Sequence, residues 1–285
     1  MGEFINALTN PAISFLRFAL LAGLLASVAF GIMGSYVVVK RISYIAGSIS
    51  HCVLGGIGIA LFLQNNLGIH WFTPMVGAVI AALLAAIIIG LVSLYSRERE
   101  DSVIGALWVV GMSVGVLFIA KTAGYVDPMS YLFGNILMIS KYDLWITLIL
   151  DIVIVLLSIL FHNRLLAVCF DEEFSRLRGV HTRFYYLFLL CLTALTIVMM
   201  VRIVGIVMVI ALLTLPATVA GHFSKRLWHM MIIASVLCMI IVTAGLAISY
   251  PANLPTGAVI VCLAGLVYLF VLIGKVVWKG VKSRS

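Results

Sequence analysis

His51, Asp151, Arg202 and His222 are the ionisable residues that fall within the long apolar stretches of this sequence. An ionisable group inside a bilayer is expensive to keep, so each is a candidate for function. His51, in Ser50-His51-Cys52, lies well inside its apolar run. Imidazole is the commonest metal-ligating side chain and suits zinc and other late transition metals. The competing reading is a buried histidine bonded to a neighbouring carbonyl or hydroxyl. Asp151 stands in mid-run and reads as a helix end, a packing group bonded to Ser or Thr, or a relay. Arg202 is read as marking an outer break in its stretch. Gly111-Met112-Ser113-Val114-Gly115 matches the G-x-S-x-G string of serine hydrolases. That motif needs a strand-to-helix elbow, and here it falls in an apolar helix, so the match is read as coincidence. An intramembrane hydrolase using Ser113 and His51 is the formal alternative.

The elements that must position these residues are membrane helices. The chain is 64% hydrophobic and 10% charged over 285 residues. Its mean hydropathy is +1.26. A soluble core does not need that much apolar surface, whereas each crossing of a bilayer takes roughly 20 apolar residues. The fold class is therefore all-α and polytopic, with eight or nine spans. They are placed at 18–39, 43–63, 72–95, 103–120, 143–161, 185–201, 204–221, 228–249 and 256–277. The stretch 185–221 reads either as two short spans broken near Arg202 and Gly205 or as one long helix with a re-entrant piece. Residues 1–285 are read as one transmembrane domain, with no room in them for a nucleotide-binding or catalytic domain. An ATPase, if one drives the protein, is then another chain.

The net charge of +8 would suggest nucleic acid in a soluble protein; here it reflects loops on the inner side of a membrane. Nine spans with the N-terminus outside put fourteen of the 18 Lys and Arg inside, including Lys40, Arg41, Lys225, Arg226 and the C-terminal tail. Only Arg17, Lys121, Lys141 and Arg202 fall outside, and the opposite orientation inverts the ratio. The segment before the first span reads as interfacial, not as a cleaved leader. The five cysteines are scattered and form no disulfide framework.

Three further features stand out. Small residues are dense in several spans, as in Gly55-Gly56-Ile57-Gly58, and let helices approach closely. Pro216 is expected to kink or end a helix near the inner face. Between the fourth and fifth spans, 127–137 is too short to cross and reads as a re-entrant or interfacial piece. On the inner side, Phe170 to Val180 places acids first, arginines next and Gly179 last, the order a short capped helix prefers.

Five segments, in order, resemble the permease subunits of ABC importers for zinc, manganese and iron. Lys40 to Gly56 is similar to that family's R-x-S-x-x-x-D-x-x-S/A-H segment, and Asp127 to Leu137 to its S-Y-L-F-G-[DN]-I-L stretch. Asp171-x-Glu173-x-Ser175-x-x-x-Gly179 is similar to its D-x-E-x-A-x-x-x-G coupling segment. Gly205 to Thr218 and Leu254-Pro255-Thr256-Gly257-Ala258 complete the match. The resemblance implies a permease homodimer in a bacterial inner membrane, with a central path for a divalent metal and no permanently bound cofactor. A cytoplasmic ATP-binding subunit would seat the coupling segment, through Asp171, Glu173, Ser175 and Gly179. A metal-binding protein would deliver the ion from outside, and nucleic acid has no part. His51 is the matched path ligand. His70 and Asp127 are expected at the outer mouth or gate.

The sequence departs from the family pattern at Gly47, where a carboxylate is common four residues before the histidine, and at Asn253, where many relatives are acidic. Loss of a hard oxygen ligand leans the expectation from manganese toward zinc. The alternative function is a secondary transporter driven by protons or sodium, which usually shows repeated halves with interrupted helices. No clear repeat is present, and Asp151 is the main carboxylate available to it.

Overall fold

The computed structural model describes residues 14–96, 99–123, 132, 134, 141–252 and 254–282. The described residues contain helices and no strand. In chain order the helices are α1 (Ser14–Lys40), α2 (Ser43–Leu67), α3 (Pro74–Tyr95), α4 (Glu100–Lys121), α5 (Lys141–Leu160), α6 (His162–Phe170), α7 (Glu172–Leu177), α8 (Thr182–Val204), α9 (Ile206–Phe223), α10 (Leu227–Ala252) and α11 (Thr256–Lys282). Among them α1–α4 and α8–α11 are the 8 that are each long and apolar enough to cross a bilayer. The α5–α6 pair passes the same test jointly but is bent by 70°.

Local chemistry sets the helix ends. Thr73 caps α3, its hydroxyl accepting from the Val76 amide at 3.4 Å, with Pro74 as the first helical residue. Gly68 closes α2 in the left-handed conformation. The ambiguous stretch 185–221 resolves into two helices. The break is Gly205, whose φ of 83° a residue with a side chain rarely adopts. Of the segment 127–137, only Leu132 and Gly134 fall within the described residues. Gly134 lies against that same break, so that a Cβ on it would fall 2.5 Å from the Gly205 amide nitrogen.

Pro216 does not end its helix: it sits inside α9, which continues to Phe223. Residues 162–170, which follow the fifth expected span, are also helical, as α6.

Helix α2 is the most buried of the candidate spans. It packs against α3, α4 and α8. Gly56 meets Gly77 of α3, while Gly55 and Gly58 meet Gly111 and Gly115 of α4, in each case backbone to backbone. In lipid there is no hydrophobic drive to bring helices together, so dispersion contacts between close backbones hold such an interface. A second group joins α1 to α9 and α10. The α1–α2 turn, the α9–α10 loop and Phe170 gather at one end of the bundle, with Lys40, Arg41, Lys225 and Arg226. The turn carrying His70 lies past the other end of α2, where Asn66 holds the Lys121 carbonyl at 3.1 Å.

Candidate functional site

The chain reverses at Arg41, which has a φ of 64°, and enters α2. Ile45, Ala46, Ile49 and Val53 of α2 are all buried. Three side chains fasten the first half of α2. Ser48 Oγ donates to the Ile104 carbonyl at 2.9 Å, Ser50 Oγ to the Gly47 carbonyl at 2.7 Å, and Cys52 Sγ to the Leu107 carbonyl at 3.2 Å. Two of these acceptors lie on α4, which fixes how α2 is rotated against it.

His51 is 9% exposed in this setting. Its Nδ1 is buried without a hydrogen-bond partner among the described residues. The satisfied-histidine reading therefore does not describe Nδ1. The ring is instead held by its face: Trp108 of α4 stacks on it with centroids 4.5 Å apart and planes at 22°. Tyr44 stands against the same indole at 5.6 Å. Gly47, one turn before His51 on the same side of α2, lies beneath the indole, and a Cβ there would meet Trp108 Cζ3 at 2.9 Å. A neutral imidazole with a free nitrogen can accept a cation. Among the described residues no group of three or more His, Cys, Asp or Glu is placed to hold one.

The other candidates are not brought to this point. His70 is exposed on the turn after α2. At 1.5 Å per residue, the sixteen residues from His51 to the end of α2 cover roughly 24 Å. Asp127 and Asn253 lie outside the described residues. Arg202 is in the last turn of α8, just before Gly205. Asp151 is on α5, which packs on α1; it is 5% exposed, and neither carboxylate oxygen has a partner among the described residues. The Ser or Thr expected to bond it is absent from those contacts. His222 meets the Lys275 ammonium at 3.1 Å through Nδ1 and joins α9 to α11. Ser113 is exposed on the helix α4, so no nucleophile elbow forms.

The charged segment forms as a separate arm. Asp171 ends α6, its amide donating to the Ala167 carbonyl, and α7 follows. Ser175 turns inward and donates to the Asp171 carbonyl at 2.5 Å. Gly179, with a φ of 78°, reverses the chain. Asp171, Glu173, Arg176 and Arg178 point outward, as does Leu177 at 87% exposure. The arm is anchored through α6. Tyr36 Oη meets His162 Nδ1 at 2.8 Å, the Lys40 ammonium donates to the Val168 carbonyl at 3.0 Å, and Arg164 bonds the Tyr185 hydroxyl.

Trp108 and the Tyr36–His162 pair are the members that sequence reasoning missed. No spacing links residue 108 to residues 47 and 51, and an aromatic in an apolar helix reads as core.

Comparison with known proteins agrees with this architecture. Residues 12–275 match the family described as the ABC 3 transport family. A protein of Chlamydia trachomatis described as a probable metal transport system membrane protein is 42% identical over 251 residues, which is 88% of this chain and 85% of that one. A manganese transport system membrane protein of Halalkalibacterium halodurans is 34% identical over 256 residues, covering 90% of this chain and 85% of that one. A solved structure, PsaBC from Streptococcus pneumoniae in complex with Fab, superimposes with a TM-score of 0.83 at 30% identity, covering 95% of this chain and 94% of that one.

Proposed function

The chain belongs to the ABC 3 transport family, and on that footing we propose that it is the membrane permease of an ATP-driven importer of a divalent transition metal. The observation that carries the metal path is His51, a buried imidazole on the central helix whose Nδ1 has no partner among the described residues. One nitrogen donor per chain binds a cation weakly, and a path needs sites that bind well enough to admit the ion and weakly enough to release it. In a homodimer, two His51 residues would serve one path.

The arm 171–179 is the seat for a separate cytoplasmic ATPase. Asp171 and Glu173 present charge, Ser175 and Gly179 hold the turn, and the exposed Leu177 offers an apolar contact. The basic end of the bundle then faces the cytoplasm, with the N-terminus outside, the C-terminus inside and α5–α6 as the ninth pass. His70 and Asp127 belong to the outer mouth, where a metal-binding protein delivers the ion. The protein sits in a bacterial inner membrane as a single transmembrane domain. Its cargo is zinc ahead of manganese, because Gly47 supplies no oxygen donor beside His51. The curated relatives named for manganese favour the second metal.

The test is metal uptake in cells producing the chain with its ATPase and binding protein, wild type against His51→Ala at equal membrane levels. Zinc uptake is expected to be lost. Unchanged uptake of both metals would remove His51 from the path. Uptake by the chain alone in liposomes under an ion gradient would overturn the ATP-driven reading.

A further inference from the structure

Resting on the reading of His51 as the path ligand, we propose that Trp108 is a specificity-determining residue: its indole fills the space over Gly47 and orients the imidazole by its face, so the cation meets a nitrogen donor with no carboxylate in the preceding turn.

Three observations carry this. The first is exclusion. Residues 47 and 51 share one side of α2. Any side chain at 47 begins at a Cβ 2.9 Å from Trp108 Cζ3 and 3.2 Å from Cη2, closer than such atoms settle. While the indole stays where it is, no carboxylate can be carried there. The second is orientation. A metal-ligating histidine is usually aimed by a hydrogen bond from its other ring nitrogen. The indole stacked on His51 at 4.5 Å and 22° fixes the ring plane by its face, while Nδ1 stays without a partner among the described residues. Tyr44, at 5.6 Å, packs against the indole in turn. The third is the state of the nearby hydroxyls. Ser48 and Ser50 are fully buried and donate to the Ile104 and Gly47 carbonyls, so both hydroxyls are packed within the helix pair.

The chemical result is a site biased by donor type. Imidazole nitrogen suits zinc and its late-transition neighbours, whereas manganese, magnesium and calcium gain most from oxygen donors. Trp108 enforces that bias through its bulk over Gly47 and its ring face on His51. It is a positioning residue, and its signature is a change in the ratio of two cargoes, which a purely packing residue would not produce.

The experiment measures zinc and manganese uptake in competition. It uses the full complex in cells, with the same ATPase and binding protein throughout, so any change in ratio belongs to the permease. Trp108→Phe, which keeps a flat ring, is expected to keep the wild-type ratio. Trp108→Ala and Trp108→Leu are expected to lower the zinc preference; the leucine retains apolar bulk should the alanine not fold. Combining Trp108→Ala with Gly47→Asp is expected to move the ratio toward manganese by about tenfold, the lower end of the effect of altering a group that orients a metal ligand. Gly47→Asp alone is expected to depress uptake of both metals. If uptake falls while the ratio stays constant in all tryptophan variants, Trp108 is packing only and the proposal fails. His51→Ala separates the two levels. Lost uptake in it with unmoved ratios elsewhere sinks this proposal alone, and normal uptake in it sinks the path reading as well.

Discussion

The Lys40 ammonium donates to the Val168 carbonyl at 3.0 Å, tying the end of α1 to the end of the short helix that leads into residues 171–179. One turn earlier on α1, Tyr36 meets His162 at the start of that same helix. A single face of α1 therefore holds α6 at both ends. Lys40 also immediately precedes the turn into α2, the helix of His51. Movement of the arm has a short mechanical route to the candidate path.

Lys40→Met should uncouple the two. The lost charge-assisted bond costs about 1 kcal/mol at this partly exposed place, too little to unfold the bundle. ATP hydrolysis by the complex should persist while metal moved per ATP falls, with Lys40→Arg intermediate. Parallel uptake and hydrolysis assays on reconstituted complex would show this, and an unchanged ratio would assign Lys40 to static packing.

Gly56 of α2 and Gly265 of α11 predict opposite signs for one substitution. A Cβ on Gly56 would fall 2.1 Å from the Gly77 carbonyl oxygen, so Gly56→Ala must push α2 and α3 apart. Such overpacking costs about 1–3 kcal/mol. Gly265 of α11 has nothing within 4 Å of the added atom. There Gly265→Ala should stabilise by up to about 1 kcal/mol through helix propensity. Thermal unfolding of the two purified variants should move in opposite directions; equal shifts would refute the close contact.

Much of this was legible in the sequence, for physical reasons that differ from residue to residue. Apolar run length marked the spans because the bilayer sets one thickness. Gly205 announced its break because few other residues take its backbone angle. The order of charges before Gly179 announced α7. Pro216 left a kink and an end equally open: a proline removes one amide bond, and its helix still runs on to Phe223. The helix 162–170 was hidden because its polar residues, His162 and Arg164, find Tyr36 and Tyr185 only in the folded chain. Trp108 was hidden for the same reason: it belongs to the site by packing across two helices, and no periodicity records that.

Asp151→Asn provides a third check, on what drives the protein. The carboxylate is buried and without a partner among the described residues, so the neutral isostere should leave uptake within about twofold of wild type and should not lower stability. Loss of uptake at a normal membrane level would restore a proton relay through Asp151.

The indole against His51 also makes the candidate path optically addressable. The chain has five tryptophans, and Trp108 is stacked directly on the imidazole. A paramagnetic cation held at that ring would sit close enough to quench the emission of Trp108, leaving distant indoles bright. Passage of manganese, though not of diamagnetic zinc, would then be visible in the protein's own light, without a dye or an added label.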